Sequence, residues 1–384
     1  MAAMGEAPRN PLVDLALIFL KLGAISFGGP VAHIALMREE FVTRRRWMTD
    51  EEFLDLIGAT NLIPGPNSTE MAIHIGRLRA GVPGLIVAGA CFILPAAAIV
   101  LALAIAYVRV GSLPETRALF YGLTPVVVVI VAVALMRLAE SAVRSLWQFA
   151  LGVVALVAAV LGMHELTLLA ACGAAGMATR TALSKTGATG NGALPAAIAT
   201  ALPVAVAPAA AAAVSAPTLF AVFLKAGALL FGSGYVLLAF LRADLVERLH
   251  WLTEAQLLDA IAVGQFTPGP VFTTATFVGY VLDGSRGAAL ATAAIFLPAF
   301  VYVAVSGPII ARLRRSVVAA GALDGANIAA LALMTATAVQ LGRVALVDLT
   351  TIALALGSVV AILRWRVNSM WLLMAGALVG FVAR

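Results

Sequence analysis

Two lysines stand inside long apolar runs of this 384-residue chain, Lys21 within LIFLKLGAI and Lys225 within AVFLKAGAL. A charge at that depth in a membrane is costly and marks function by default. Snorkelling of the long side chain toward the interface is the ordinary alternative. Each lysine is followed seven residues on, about two helical turns, by a glycine (Gly28 and Gly232), so lysine and glycine share a helix face. The apolar runs are broken at four places: Gly28-Gly29-Pro30, Pro64-Gly65-Pro66, Gly232-Ser233-Gly234 and Pro268-Gly269-Pro270. A helix restarting after such a break presents free backbone N–H groups and the positive end of its dipole, which together favour an anion. Hydroxyl and amide side chains cluster beside the breaks: Ser26, Asn61, Asn67, Ser68 and Thr69 early, Ser233, Gln265, Thr267, Thr273 and Thr274 late. Neutral donors with two lysines suit a tetrahedral oxyanion; packing kinks are the bland alternative.

Three further groups bear on gating or coupling. Arg38 and Arg242 end the first broken segment of each half and could attract or gate an anion, or serve as interfacial arginines. Glu70 follows the first Pro-Gly-Pro and faces Thr274 at the equivalent position, without an acidic twin. It could carry a proton, or favour a half-helix N-terminus; the second reading is preferred. His33 and His74 do not recur in the second half; a proton relay through them is one reading, and that of satisfied packing histidines is the preferred one.

The elements that must position these residues are membrane helices. Hydrophobic residues make up 62% of the chain and charged ones 11%, against about 25% charged in soluble domains. Apolar stretches near the ~20 residues needed to cross a bilayer recur from end to end, leaving no room for a sizeable soluble domain. The net charge of +6 comes from short basic clusters between apolar runs, a topology signal rather than a nucleic-acid one. Cys91 and Cys172 lie in apolar runs without CxxC or metal-site spacing. We expect no signal peptide in residues 1–10, no metal and no cofactor.

The chain also repeats itself. Residues 19–28, FLKLGAISFG, return as 223–232, FLKAGALLFG. The register set by Lys21 and Lys225 also brings Arg38 onto Arg242, Trp47 onto Trp251, Asp55 onto Asp259 and Gly65 onto Gly269; after one deletion Gly76, Gly84 and Pro95 meet Gly279, Gly287 and Pro298. Such a unit is half a transporter rather than a solenoid repeat. The expected organisation is a first repeat over 11–183, a Gly/Ser/Thr-rich linker over 184–192 and a second repeat over 193–384, with the match strongest between 19–140 and 223–343.

Each broken segment could be one kinked span or a re-entrant hairpin. Hairpins give the better positive-inside split, with the basic residues at 44–46, 77–79, 137, 144, 180, 312–315 and 364–366 on the cytoplasmic side. Full spans are then expected at 83–108, 118–136, 145–162, 165–182, 193–213, 288–311, 318–341, 345–363 and 368–383. Either way an odd number of crossings separates the two lysines, so the fold class is an all-α polytopic membrane protein with two inverted-topology repeats. The stretch Trp47 to Asp55 and its twin from Trp251 read as interfacial segments anchored by Trp, and Gly376-x-x-x-Gly380 as a helix-contact motif.

The segments FLKLGAISFGGP (19–30), WMTDEEFLD (47–55) and PGP (64–66), returning as FLKAGALLFGSG, WLTEAQLLD and QFTPGP, resemble the chromate ion transporter family in its long, two-domain form. The resemblance covers essentially the whole chain. It implies export of chromate from the cytoplasm across a bacterial-type inner membrane, driven by the membrane potential or proton gradient or by anion exchange, with sulfate as the chemical look-alike. Membrane lipid is the other expected partner, and a homodimer is compatible with the class. The second half departs at Ser233-Gly234, opposite Gly29-Pro30, and at Gln265, opposite Asn61, so the halves need not contribute equally. Another oxyanion carrier and an anion channel are the competing readings. An enzyme is not expected: there is no HExxH, no GxSxG and no paired intramembrane carboxylates.

Overall fold

The computed structural model describes residues 10–111, 113–186, 213–230 and 234–383. The first half contains α1 (Pro11–Ile25), α2 (Gly29–Arg38), α3 (Asp50–Thr60), α4 (Asn67–Val110), α5 (Pro114–Ala142), α6 (Leu146–Val160) and α7 (Glu165–Thr186). The second repeats the series as α8 (Ala216–Leu229), α9 (Leu237–Leu241), α10 (Glu254–Phe266), α11 (Thr274–Arg315), α12 (Val317–Ala345), α13 (Leu349–Trp365) and α14 (Ser369–Ala383). No strand occurs among the described residues. The repeat extends to local geometry: a π-helical turn follows α2 (Glu39–Arg44) and α9 (Arg242–Arg248), and the equivalent Arg46 and His250 both take φ 51°. The expected span at 193–213 lies almost wholly outside the described residues. So does the expected linker beyond Thr186, where α7 ends.

The broken segments are re-entrant hairpins. Phe19 on α1 and Phe41 beyond α2 would stand about 33 Å apart on a continuous helix; their ring centroids are 5.3 Å apart. Chain reversal at Gly28 (φ 101°) and Gly29 (φ 75°) uses a left-handed backbone that glycine adopts without a Cβ clash. The second hairpin closes the same way: the Arg79 guanidinium lies 4.7 Å from the centroid of the Trp47 ring, although α3 and the first part of α4 intervene. In the second half Lys225 on α8 pairs with Asp244 beyond α9. The stretch after Trp47 thus becomes the descending arm α3, started by a Thr49–Glu52 capping box that returns as Thr253–Gln256.

α4 and α11 each consist of two pieces. At Ala80 and Gly81 the backbone leaves the helix (φ −145° and 62°), and Asp283 and Gly284 repeat the turn (φ −148° and 57°). The pieces fold against each other so closely that a methyl on Gly76 would collide with the Gly84 carbonyl. A short returning piece therefore runs to the surface, and a long one crosses the membrane.

That long piece reveals the inversion. The first half's hairpin packs at its start, around Gly84. Tyr107, about 35 Å further along, bonds to Asp259 of α10 at 2.8 Å and packs on Phe277 of α11. The two hairpins therefore enter from opposite faces. The halves also exchange their last helices. α7 packs on α12 through Gly176 against Gly321 and Gly325, and α14 packs on α5 through Gly376 and Gly380 against Gly122. Small residues let these backbones approach closely in lipid, where no hydrophobic effect drives helices together. The largest apolar core runs through both halves, with Val126, Ile130, Phe240, Leu257 and Phe277 among its members.

Candidate substrate site

Described residues of the four breaks come together, the third break being represented by Gly234. The Gly65 N–H donates to the Leu230 carbonyl at 2.8 Å, and the equivalent Gly269 N–H donates to the Ser26 carbonyl at 2.8 Å. Each Pro-Gly-Pro therefore latches onto the first hairpin of the opposite half. His33 ties the two hairpins of the first half together, with its ring nitrogens 3.1 Å from the Ser68 hydroxyl and 3.1 Å from the Ser26 carbonyl. It is buried and fully partnered, as a packing histidine should be.

A cavity of about 850 Å³ adjoins this centre. Gly28 and Pro30 line it from the first break, Pro66, Asn67 and Ser68 from the second, Gly234 from the third and Pro270 from the fourth. The N-termini of α2 and α4 meet there. Arg137, near the end of α5, and Arg366, in the left-handed position that ends α13, line its outer part. Neither arginine has a carboxylate partner among the described residues, and no Asp or Glu lines the cavity. Dipole, hydroxyl, amide and guanidinium groups thus converge on space large enough for a hydrated oxyanion.

The other expected residues are placed as follows. Asn61 accepts a 2.8 Å hydrogen bond from the Asn67 amide. Ser26 and Thr69 are buried beside the breaks, with hydroxyls that find no partner. Pro64 and Pro268 open their turns, and Gln265 has a buried amide nitrogen without a partner. Thr273 and Thr274 turn their hydroxyls back to the carbonyls of Pro270 and Val271, both at 2.8 Å, and Thr267 bonds to the Gly264 carbonyl. Gly29 begins α2. Gly232 and Ser233 lie outside the described residues.

The charged candidates divide. Lys21 is exposed on α1. Lys225 is engaged by Glu165 of α7 at 2.7 Å and by Asp244, which also holds Arg248 at 2.8 Å. Arg38 pairs with Asp50 at 2.6 Å in an exposed position. Arg242 is enclosed between Glu247 and Glu254. Glu70 is fully buried, and neither carboxylate oxygen accepts a hydrogen bond. It stands in the first turn of α4, where the helix dipole favours a negative charge, but it takes no N–H from the helix start. In the sequence Arg137 and Arg366 are visible only as topology charges. Their position along the chain gives a side of the membrane but not which helices they stand between.

Comparison with known proteins agrees with this architecture. The family model described as chromate transporter matches residues 13–177 and again residues 217–381. The chromate transport protein of Cupriavidus metallidurans is 34% identical over 98% of this chain and 94% of its own length. The probable chromate transport protein of Synechococcus elongatus is 30% identical over 94% and 92%. That of Pseudomonas aeruginosa is 30% identical over 85% and 80%. No solved structure matches the chain. With both repeats matched, in the order and spacing of its two folded halves, the chain belongs to the chromate transporter family.

Proposed function

We propose that the protein is a secondary carrier that exports chromate from the cytoplasm across a bacterial inner membrane, with sulfate as a competing substrate. The observation that carries this reading is the cavity on which all four breaks converge, bounded by two unpaired arginines and by no carboxylate. By the positive-inside split the arginines face the cytoplasm. Chromate and sulfate are both tetrahedral dianions, and two guanidinium groups match that charge. The substrate passes from the arginines to the donors at the starts of α2 and α4, namely Gly28, Gly29, Asn67 and Ser68. Lys225 and Arg242 are already neutralised by carboxylates, so we assign the substrate's cations to Arg137 and Arg366. Lys21, being exposed, adds long-range attraction only.

A carrier is favoured over a channel because the reciprocal latches at Gly65 and Gly269 tie the two halves together at the breaks. Flux then requires them to break and re-form, as alternating access demands. Coupling to the proton motive force or to a counter-anion supplies the energy.

The test is labelled chromate uptake into liposomes loaded with unlabelled chromate. Arg137→Ala and Arg366→Ala should each raise the half-saturating concentration roughly fivefold at low salt, about 1 kcal/mol of screened attraction, with the gap shrinking as salt rises. Absence of chromate exchange by the wild type, or unchanged saturation in the double variant, would remove the assignment.

A further inference from the structure

Glu70 is the ionisable member of the central region whose chemistry the cavity does not use. It lies in the first turn of α4, fully buried, with both oxygens lacking a partner. Its carboxyl sits against Gly65, where an added methyl would strike it and would also come within 4.0 Å of Ala299 of α11. Gly65 is the residue whose N–H latches the first half to Leu230.

The groups around it are few. On α4 itself they are His74, one turn on, and Arg77, which donates to the Val303 carbonyl. On α11, Tyr302 lies within Coulombic reach and gives its hydroxyl to the Ala228 carbonyl at 2.9 Å. On α2, His33 is held by Ser68 and Ser26. None of these bonds the carboxyl. A buried carboxylate without a donor or a cation is strongly disfavoured, so the sealed arrangement favours the protonated form. The pseudo-symmetric position carries Thr274, which bonds its own helix start. The molecule thus holds one such acid, where the fold offers two equivalent places.

We propose that Glu70 is the proton-binding residue of the transport cycle, neutral while the Gly65 latch is closed and ionised only when the latch opens to water. This rests on the transport reading above. The carboxylate takes a proton from external water after the anion has left. The latch closes on the empty, protonated carrier. When the next anion opens it from the cytoplasmic side, the acid gives its proton to cytoplasmic water and stays ionised until that anion has left, so one proton moves inward for each anion moved outward.

Glu70→Gln keeps the shape and removes the titration. In liposomes, exchange of labelled for unlabelled chromate at equal pH should stay within about twofold of wild type. Accumulation driven by an imposed pH gradient, and the accompanying signal of a trapped pH dye, should be lost. Glu70→Asp should restore part of both. PH-driven accumulation by Glu70→Gln at the wild-type rate would overturn the proposal. So would loss of exchange in a variant that elutes and melts like wild type, since that marks a structural role. If wild type itself exchanges no chromate, it is the transport reading that fails, and the two failures are distinguishable.

Discussion

Lys225 shows how one residue type can be recognised as consequential before its partners are visible. Its depth in an apolar run marks it as functional or paired, and the structure supplies Glu165 and Asp244, with Asp244 only 1% exposed. Lys225→Met should therefore lower stability by about 3 kcal/mol, because it leaves buried carboxylates without a cation. Thermal melting in detergent checks this, and adding Glu165→Gln and Asp244→Asn should recover most of the loss. A triple variant that melts normally yet no longer binds chromate would instead place Lys225 in the substrate route. The residues flanking the breaks were legible because Gly, Pro, Ser and Asn at those positions have a local meaning. The partners of Lys225 were not, since α7, α8 and the turn after α9 meet only through tertiary packing. Arg137 and Arg366 were hidden for the same reason: the end of α13 reaches the starts of α2 and α4 only in the folded molecule.

At the scale of elements, the hairpins were legible from charge and from the breaks, and most boundaries fell within a few residues of expectation. What composition did not reveal is that the second hairpin and the following span form a tight pair turned at Gly81. That turn needs φ 62° at Gly81, and the pair needs bare backbone at Gly76 and Gly84. Gly81→Val should cost about 1–3 kcal/mol, because φ 62° with ψ −145° is a backbone region that essentially only glycine occupies. Gly76→Leu should cost more, because the steric conflict is with backbone and cannot be relieved by a rotamer change. Both are readable as lowered melting temperatures, with Gly162→Ala, where φ is 86° but no atom lies near, as a control for strain without crowding. A Gly76→Leu protein that melts like wild type would mean that the two pieces separate freely.

For the whole molecule, duplication was plain in the sequence, but interlocking was not. The last helix of each half packs on the other half, and the latches at Gly65 and Gly269 cross between them. Neither half buries its own interfaces alone. Cutting the chain within 184–192 and co-expressing the pieces should give an associated, chromate-exchanging complex, whereas either piece alone should be degraded or aggregate. Co-purification through a tag on one piece measures this; a piece stable by itself would refute the interlock.

The mismatch between the repeats has a consequence for direction. If the molecule reaches its opposite conformation by trading the roles of its halves, the outer vestibule is lined by the equivalents of the inner one. Arg137 then becomes Gln340, Arg366 becomes Gly162, which holds the matching left-handed position after α6, and Asn67 and Ser68 become Val271 and Phe272. On the proposed orientation the inner mouth would attract a dianion and the outer one would not. The protein would act as a rectifier, loading at low concentration inside and unloading readily outside. Half-saturation measured from the two faces, in right-side-out and inverted vesicles, should differ by roughly tenfold or more, the equivalent of about 1.4 kcal/mol. Equal values would mean that the asymmetry written into the two repeats is silent in transport.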